Sequence, residues 1–446
     1  MIVISQGIVT EHLRNSAFDR QISVSFVEVD EGDAFVSSDI AHGGGRERRS
    51  VNGLLRFEKE RQQTGIDSLP AGIDVLVVVH MPETEDHTGQ SPNATHLQFN
   101  GLVRREQRIE ARQVQAVPVQ EELFSRVHGL YETDALKTQT ALIIGVGSGG
   151  SNIAIELAKA GVGNFILVDH DRLEIVNVVR HACGISDLGR FKTKAVRDLI
   201  LEKNPFANVE THQAKCDWGW RSQLEQLVQR ANIVFCCTDN RPSRMLVNEV
   251  TVAGHRTCIY GGTFHRAYGG QVLRVIPGQT MCYQCFISML PEVAEDQEIA
   301  SPDQAMNIAY ADRPVAVEPG LATDIAPISL MCVKLGILEM LRGTETTLSN
   351  LYEDLASPWF QWLNRREFDT DYAQLPPLES EDTGLRILAW YGINNERDPH
   401  CAVCGDFVEM RLAKIGQTLT SEEIDRFGAT SGQVYHDEQS SPPYPL

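Results

Sequence analysis

Residues 141–171 read ALIIGVGSGGSNIAIELAKAGVGNFILVDHD, and this stretch leaves few folds open. An apolar run, Ala141 to Ile144, enters a glycine cluster. A helical pattern follows, and a second apolar run ends at Asp169. Gly145, Gly147 and Gly150 fit G-x-G-x-x-G between a strand and a helix, with Gly149 beside them. Glycines there permit positive φ and let backbone N–H groups come close to a phosphate. Asp169 stands nineteen residues after Gly150, at the end of the next strand. A carboxylate in that place accepts hydrogen bonds from ribose hydroxyls. A turn of purely structural role is the plain alternative. The motif serves NAD and ATP alike, so it does not separate a redox enzyme from an activating one.

The surrounding pattern sets the fold class. From Glu121 a helix leads into the strand Thr140–Gly145. Helices are expected at Ser151–Ala160, Phe191–Asn204, Trp220–Ala231, from Arg241, and at Pro327–Arg342. Strands are expected at Asn164–Asp169, Val209–His212, Ile233–Cys237 and Thr257–Gly261. This alternation predicts an α/β fold with a doubly wound, mostly parallel, Rossmann-like sheet. The run QVLRVIPG predicts antiparallel additions at one side. Residues 1–118 have another texture, with strand-like runs at Ile22–Val29, Val75–His80 and Thr95–Val103 and a helical pattern over Ser50–Gln63. They are expected to form a small α+β domain. Residues 119–418 would be the nucleotide-binding unit, with 343–400 a candidate insertion. Residues 419–446, acidic and then Ser/Pro-rich, would be a mobile tail.

Bulk properties exclude several classes. A chain of 446 residues with 42% apolar and 22% charged content can bury a large core. It contains no run of about 18 uncharged apolar residues, so no membrane helix is expected. The start, MIVISQGIVTEHL, lacks the basic and apolar parts of a signal peptide. Ten cysteines without a secretion signal imply a reducing, cytoplasmic setting. A net charge of −20 supplies no surplus for neutralising nucleic-acid phosphates.

Charges after Asp169 favour ATP. Asn177, Arg180 and Lys192 follow the ribose carboxylate closely. Adenylation develops negative charge on an α-phosphate and on leaving pyrophosphate, and fixed cations stabilise it. Lys194 and Arg197 read instead as a solvated face. In CTDNRPSRMLVN, Asp239 follows a strand and so lies at the carboxyl edge of the sheet, above the same crevice. It can hold Mg²⁺ against phosphates, or it can cap a helix; Asn240 and Ser243 are the other capping candidates. MCYQC and CAVCG give two C-x-x-C pairs, Cys282/Cys285 and Cys401/Cys404. Two such knuckles can close a tetrahedral Cys₄ Zn²⁺ site with no open position, hence structural. A redox dithiol is the rival. His80, His87 and His96 lie near Glu83, Glu85 and Asp86. A polar surface loop is expected there, and a catalytic metal site, which would not match an H-x-H…D pattern, is the minor alternative.

These elements together resemble the ThiF/MoeB-like adenylyltransferases, the superfamily of ubiquitin-activating enzymes. The match runs through Gly145-Val-Gly147-Ser-Gly149-Gly150, Asp169-His-Asp171, Asn177-Val-Val-Arg180-His181, Gly189-Arg-Phe-Lys192 and Thr238-Asp239-Asn240 with Arg244. Val178 stands where the family has Leu, and His181 where it has Gln. The resemblance covers about residues 121–342 and the 401–404 pair. It implies ATP, Mg²⁺ and a structural zinc. It also implies a homodimer and activation of the C-terminal carboxylate of a small ubiquitin-like or sulfur-carrier protein. Gly145, Gly147, Gly149, Gly150, Asp169, Asp171, Asn177, Arg180, Lys192, Asp239 and Asn240 would bind nucleotide and metal. Arg180, Lys192 and Asp239 would act in catalysis, with Arg126 as the arginine inserted into a partner's site. Thioester-forming relatives add a cysteine after the first knuckle, but Phe286–Leu330 contains none. Cys183, Cys216 and Cys332 are the remaining candidates, so a protein that stops at the adenylate is favoured. A full thioester-forming enzyme, an NAD-dependent oxidoreductase and a non-catalytic scaffold are the alternatives.

Overall fold

The computed structural model describes residues 1–14, 19–29, 32–37, 49–59, 69–81, 97–105, 108–117, 123–127, 129–131, 134–290, 320–368, 370–375, 384–406 and 408. The described strands fall into two eight-stranded sheets. The first contains β1 (Ile2–Ser5), β2 (Asp19–Val29), β3 (Gly32–Ser37), β4 (Arg49–Lys59), β5 (Val75–Met81), β6 (Gln98–Arg105), β7 (Arg108–Arg112) and β8 (Val114–Val117). Their order is β7-β6-β5-β4-β2-β3-β1-β8. β7 and β8 are separated only by Gln113, whose carbonyl accepts from Ile2 N–H at 2.8 Å. The stretch from Arg108 to Val117 therefore pairs with β6 at one edge and with β1 at the other, and the sheet curls round to meet itself. A Cβ on Gly101 of β6 would lie 2.5 Å from Ile2 and 2.6 Å from Val114, which shows how tightly the edges meet. Ile4, Val24, Leu55, Val77 and Val103 fill the interior.

The helix expected over Ser50–Gln63 is a strand through Lys59. Leu54 packs into one cluster with Leu76 and Val78, while Leu55 and Phe57 face the other. A strand buried on both faces loses its alternation, and its apolar residues then mimic helical spacing. His80 is described, and the Asn100 amide lies 3.0 Å from its Nε2. His87, His96, Glu83, Glu85, Asp86 and the 419–446 tail lie outside the described residues.

The second sheet runs β11-β10-β9-β12-β13-β14-β15-β16. Here β9 is Thr140–Ile144, β10 Asn164–Val168, β11 Asn208–His212, β12 Ile233–Cys236 and β13 Cys258–Thr263. These five pair in parallel. β14 (Gly269–Val275), β15 (Trp359–Leu363) and β16 (Trp390–Ile393) continue it antiparallel. The strands within 343–400 thus extend this sheet. Parallel strands covered on both faces read as continuous apolar runs, as in TALII and IVFC. Helices Ser148–Lys159, Lys192–Lys203 and Ala322–Met340 cover one face with Ile153, Leu157, Val196 and Leu335. Helices Arg221–Arg230, Arg241–Ala253 and Tyr283–Met289 cover the other with Leu224, Leu246, Val250 and Phe286. Strand order reverses between β9 and β12, which opens a crevice above their carboxyl ends.

Candidate active site

The glycine loop leaves β9 at that reversal. Gly145 N–H donates to Val168 O at 2.8 Å, and the residue turns with φ +86°. A Cβ on Gly145 would lie 2.8 Å from Cys237 O. One on Gly150 would lie 1.9 Å from Gly145 O. Both positions therefore exclude a side chain. Helix Ser148–Lys159 then starts with its first amides facing the crevice, a site that favours anions.

Asp169 holds this turn from β10. Its Oδ2 accepts from Val146 N–H and its Oδ1 from Asp171 N–H, both at 2.8 Å. Each carboxylate oxygen retains a lone pair for a further donor. His181, 8% exposed, sits behind the loop with Nε2 2.8 Å from Val146 O, and its Nδ1 accepts Cys183 N–H at 3.0 Å. Burial lowers its pKa below the ordinary 6.5.

The crossover after Asp169 carries the cations. Asn177 Oδ1 accepts Glu174 N–H at 3.0 Å in a reciprocal capping pair. Asn177 O accepts the amides of Arg180 and His181. Lys192 opens its helix almost fully buried, with Nζ 2.8 Å from Asp171 Oδ2. Arg190 binds Asp187 and Asp198, and Arg172 stacks 3.9 Å over Phe191, so the segment before Lys192 is braced.

After β12, Asn240 is the helix cap, its Oδ1 accepting Ser243 N–H at 3.0 Å. This leaves Asp239 exposed at the crevice. Buried Arg244 donates to Thr238 O and to Gly261 O, both at 2.8 Å, and so ties the ends of β12 and β13 together.

These residues surround one cavity of about 720 Å³. Gly145, Gly147, Gly149, Asp169, Asp171, Asn177, Arg180, Lys192, Asp239 and Asn240 all line it. Gly150 lies beneath the loop instead. Arg126 is exposed and does not line the cavity. Sequence reasoning missed Lys215, Thr263 and Arg266 in the lining. Thr263 ends β13 and Lys215 follows β11 by three residues at the same sheet edge, so the carboxyl-edge rule reaches them. Arg266 is placed by a left-handed turn, φ 55°, with no sequence signal.

The four paired cysteines gather elsewhere, on the Leu224–Phe286 face. All are buried. Cys282 Sγ lies 3.8 Å from Cys285 Sγ and 3.7 Å from Cys401 Sγ, and Cys285 Sγ lies 3.4 Å from Cys404 Sγ. A tetrahedron with Zn–S bonds of about 2.3 Å has edges of about 3.8 Å, so this donor set fits a zinc ion. Val403 N–H and Asn248 Nδ2 approach the sulfurs of Cys401 and Cys282 and would support thiolate charge there if a metal were bound. The other candidate thiols are held protonated: burial pushes Cys183, Cys216 and Cys332 each up to about 12.

A Rossmann-like α/β protein with a phosphate-type glycine turn at its strand reversal is what this geometry defines. The ThiF family model matches residues 119–372, more than half of the chain, and the protein belongs to that family. Ubiquitin-like modifier-activating enzyme 5 of Caenorhabditis elegans is 28% identical over 164 residues, 34% of this chain and 39% of that one. The probable adenylyltransferase/sulfurtransferase MoeZ of Mycobacterium tuberculosis (strain CDC 1551 / Oshkosh) is 32% identical over 130 residues, 29% of this chain and 32% of that one. The chain thus spans about a third to two-fifths of these relatives. A crystal structure of E. coli MccB with MccA-N7isoASN aligns at a TM-score of 0.45 and 20% identity, over 61% of this chain and 69% of that chain. Among the described residues no helix is long and apolar enough to cross a membrane.

Proposed function

We propose that the protein adenylates the C-terminal carboxylate of a small ubiquitin-like or sulfur-carrier protein, with ATP as co-substrate and pyrophosphate released. The observation that carries this reading is the convergence of Arg180, Lys192 and Asp239 on the cavity that the glycine loop opens. In this reading the triphosphate lies over Gly145–Gly150 and the ribose on Asp169. Mg²⁺ held by Asp239 would add positive charge beside the phosphates. The attacking carboxylate is already ionised near neutral pH, so no general base is needed. Arg180 and Lys192 stabilise the charge that develops at the α-phosphate, and Lys192, held by Asp171, does so with little reorganisation. Asn177, fixed by its capping pair, orients the crossover that carries Arg180. Arg126, exposed on its own chain, would serve the site of a second copy in a homodimer. The buried cysteine quartet would hold a structural Zn²⁺.

The reaction stops at the acyl-adenylate in this reading. Burial raises the Cys183, Cys216 and Cys332 thiols to about 12 each, which disfavours them as acyl acceptors, since a thiolate is the nucleophile. A nicotinamide dehydrogenase would need an acid/base group at a hydride-transfer site, and the glycine motif itself points to none. The test is ATP–pyrophosphate exchange with a candidate carrier protein. Exchange that requires the carrier and is lost in Asp239→Ala is expected. Tight NAD binding without exchange would overturn the reading.

A further inference from the structure

One side chain outside the phosphate-binding set joins the two halves of the nucleotide cradle. His181 Nδ1 accepts the Cys183 amide, and its Nε2 lies against the Val146 carbonyl. An amide N–H only donates and a carbonyl only accepts, so both bonds are satisfied by a single species, the neutral ring with its proton on Nε2. Val146 N–H is held in turn by Asp169 Oδ2. Both polar groups of this glycine-loop residue are therefore gripped by side chains, one from the end of β10 and one from the Arg180 segment. Ala182 N–H adds a bond to Ser151 Oγ of the loop's helix at 3.2 Å.

We propose that His181 is a positioning residue for the nucleotide site: its neutral form locks the glycine loop to the Arg180 segment, and its protonation opens that lock and weakens MgATP binding. This rests on the ATP reading above. An imidazolium carries two donors, so its Nδ1–H would face the Cys183 N–H with no acceptor between them. The groups facing the ring divide in sign. Lys192, at the start of its helix, disfavours the added charge, whereas Asp169 after β10 and Asp187 in the crossover favour it. Burial is the largest influence and keeps the ring neutral at pH 7. Glutamine, which the related family pattern carries here, offers one donor and one acceptor with no titration.

The experiment is calorimetric titration of the full chain with MgATP between about pH 5 and 8, for wild type, His181→Gln and His181→Ala. The wild-type-to-Gln affinity ratio cancels the nucleotide's own titration. Wild type should lose affinity relative to His181→Gln by up to about tenfold per pH unit once the ring titrates. His181→Ala should bind about tenfold more weakly at neutral pH, the worth of one buried hydrogen bond. The same acid limb in His181→Gln, or wild-type affinity in His181→Ala, would overturn the role while leaving the ATP reading intact. No MgATP binding by wild type at any pH would overturn the ATP reading and this role with it. Nitrogen-15 histidine spectra of the nucleotide-free protein, assigned by His181→Gln, give a second readout. A bare Nδ1 and a protonated Nε2 at neutral pH are expected, and a charged ring there would sink the proposal without reference to nucleotide.

Discussion

Lys192 and Gly145 carry opposite kinds of constraint at single positions. Lys192 is a cation in a nearly closed place, held by Asp171 and aimed at the crevice. Lys192→Met keeps the aliphatic stem and removes only the charge. Pyrophosphate exchange should fall about 10²- to 10³-fold, with the thermal midpoint little changed. An equal fall in both would mean that the lysine is structural. Gly145 has a backbone reason instead: φ is +86° and a Cβ would lie only 2.8 Å from Cys237 O. Gly145→Ala should cost about 1–3 kcal/mol in urea unfolding, and a neutral substitution would show that the turn can relax. His181 adds a pH term to stability. Its folded pKa lies below the ordinary 6.5. Its contribution is therefore whole above pH 6.5 and declines as the pH falls through the value the buried ring has in the folded chain.

At the scale of elements, most of the second sheet was legible. The apolar runs of β9 to β13 and the helices between them fall within a few residues of expectation, because each strand is short, continuous and bounded by a polar turn. The antiparallel β14 was legible from QVLRVIPG as well. β4 was not, since a doubly covered strand and a buried helix share a pattern. The sequence also hid Arg274. It lies on β14 with its guanidinium buried, donating to the carbonyls of Leu355, Ala356 and Ser357 and pairing with buried Glu339 at 3.1 Å. It thereby joins helix Ala322–Met340 to the turn before β15. Arg274→Met strands Glu339 and three carbonyls, and should cost about 3–5 kcal/mol in stability. Glu339 also touches Arg342, so a cost under 1 kcal/mol would mean that this second arginine takes over.

For the molecule as a whole, the cysteine quartet closes a link between segments 119 residues apart, Cys282 with Cys401 and Cys285 with Cys404. A zinc ion held there would fasten the segment after β16 to the helix-covered face of the sheet. Metal analysis of the purified protein should find one zinc per chain. Chelation should release it, expose four thiols to a thiol reagent and lower the thermal midpoint. A metal-free protein with an unchanged midpoint would remove the zinc from the account.

What the sequence determined by itself is the order of the candidate site residues along the chain. The glycine turn, Asp169, the Asn177–Arg180–Lys192 spacing, Asp239 and the two cysteine knuckles were all readable, because each is a local requirement of backbone shape or charge at the end of an element. Tertiary structure decided what those residues do to one another. It made Asn240 a cap and left Asp239 to the crevice. It closed the first sheet on itself through a bend at Gln113, and it placed His181 behind a carbonyl 35 residues away. Those outcomes depend on contacts between distant segments, and spacing along the chain carries no record of which faces meet.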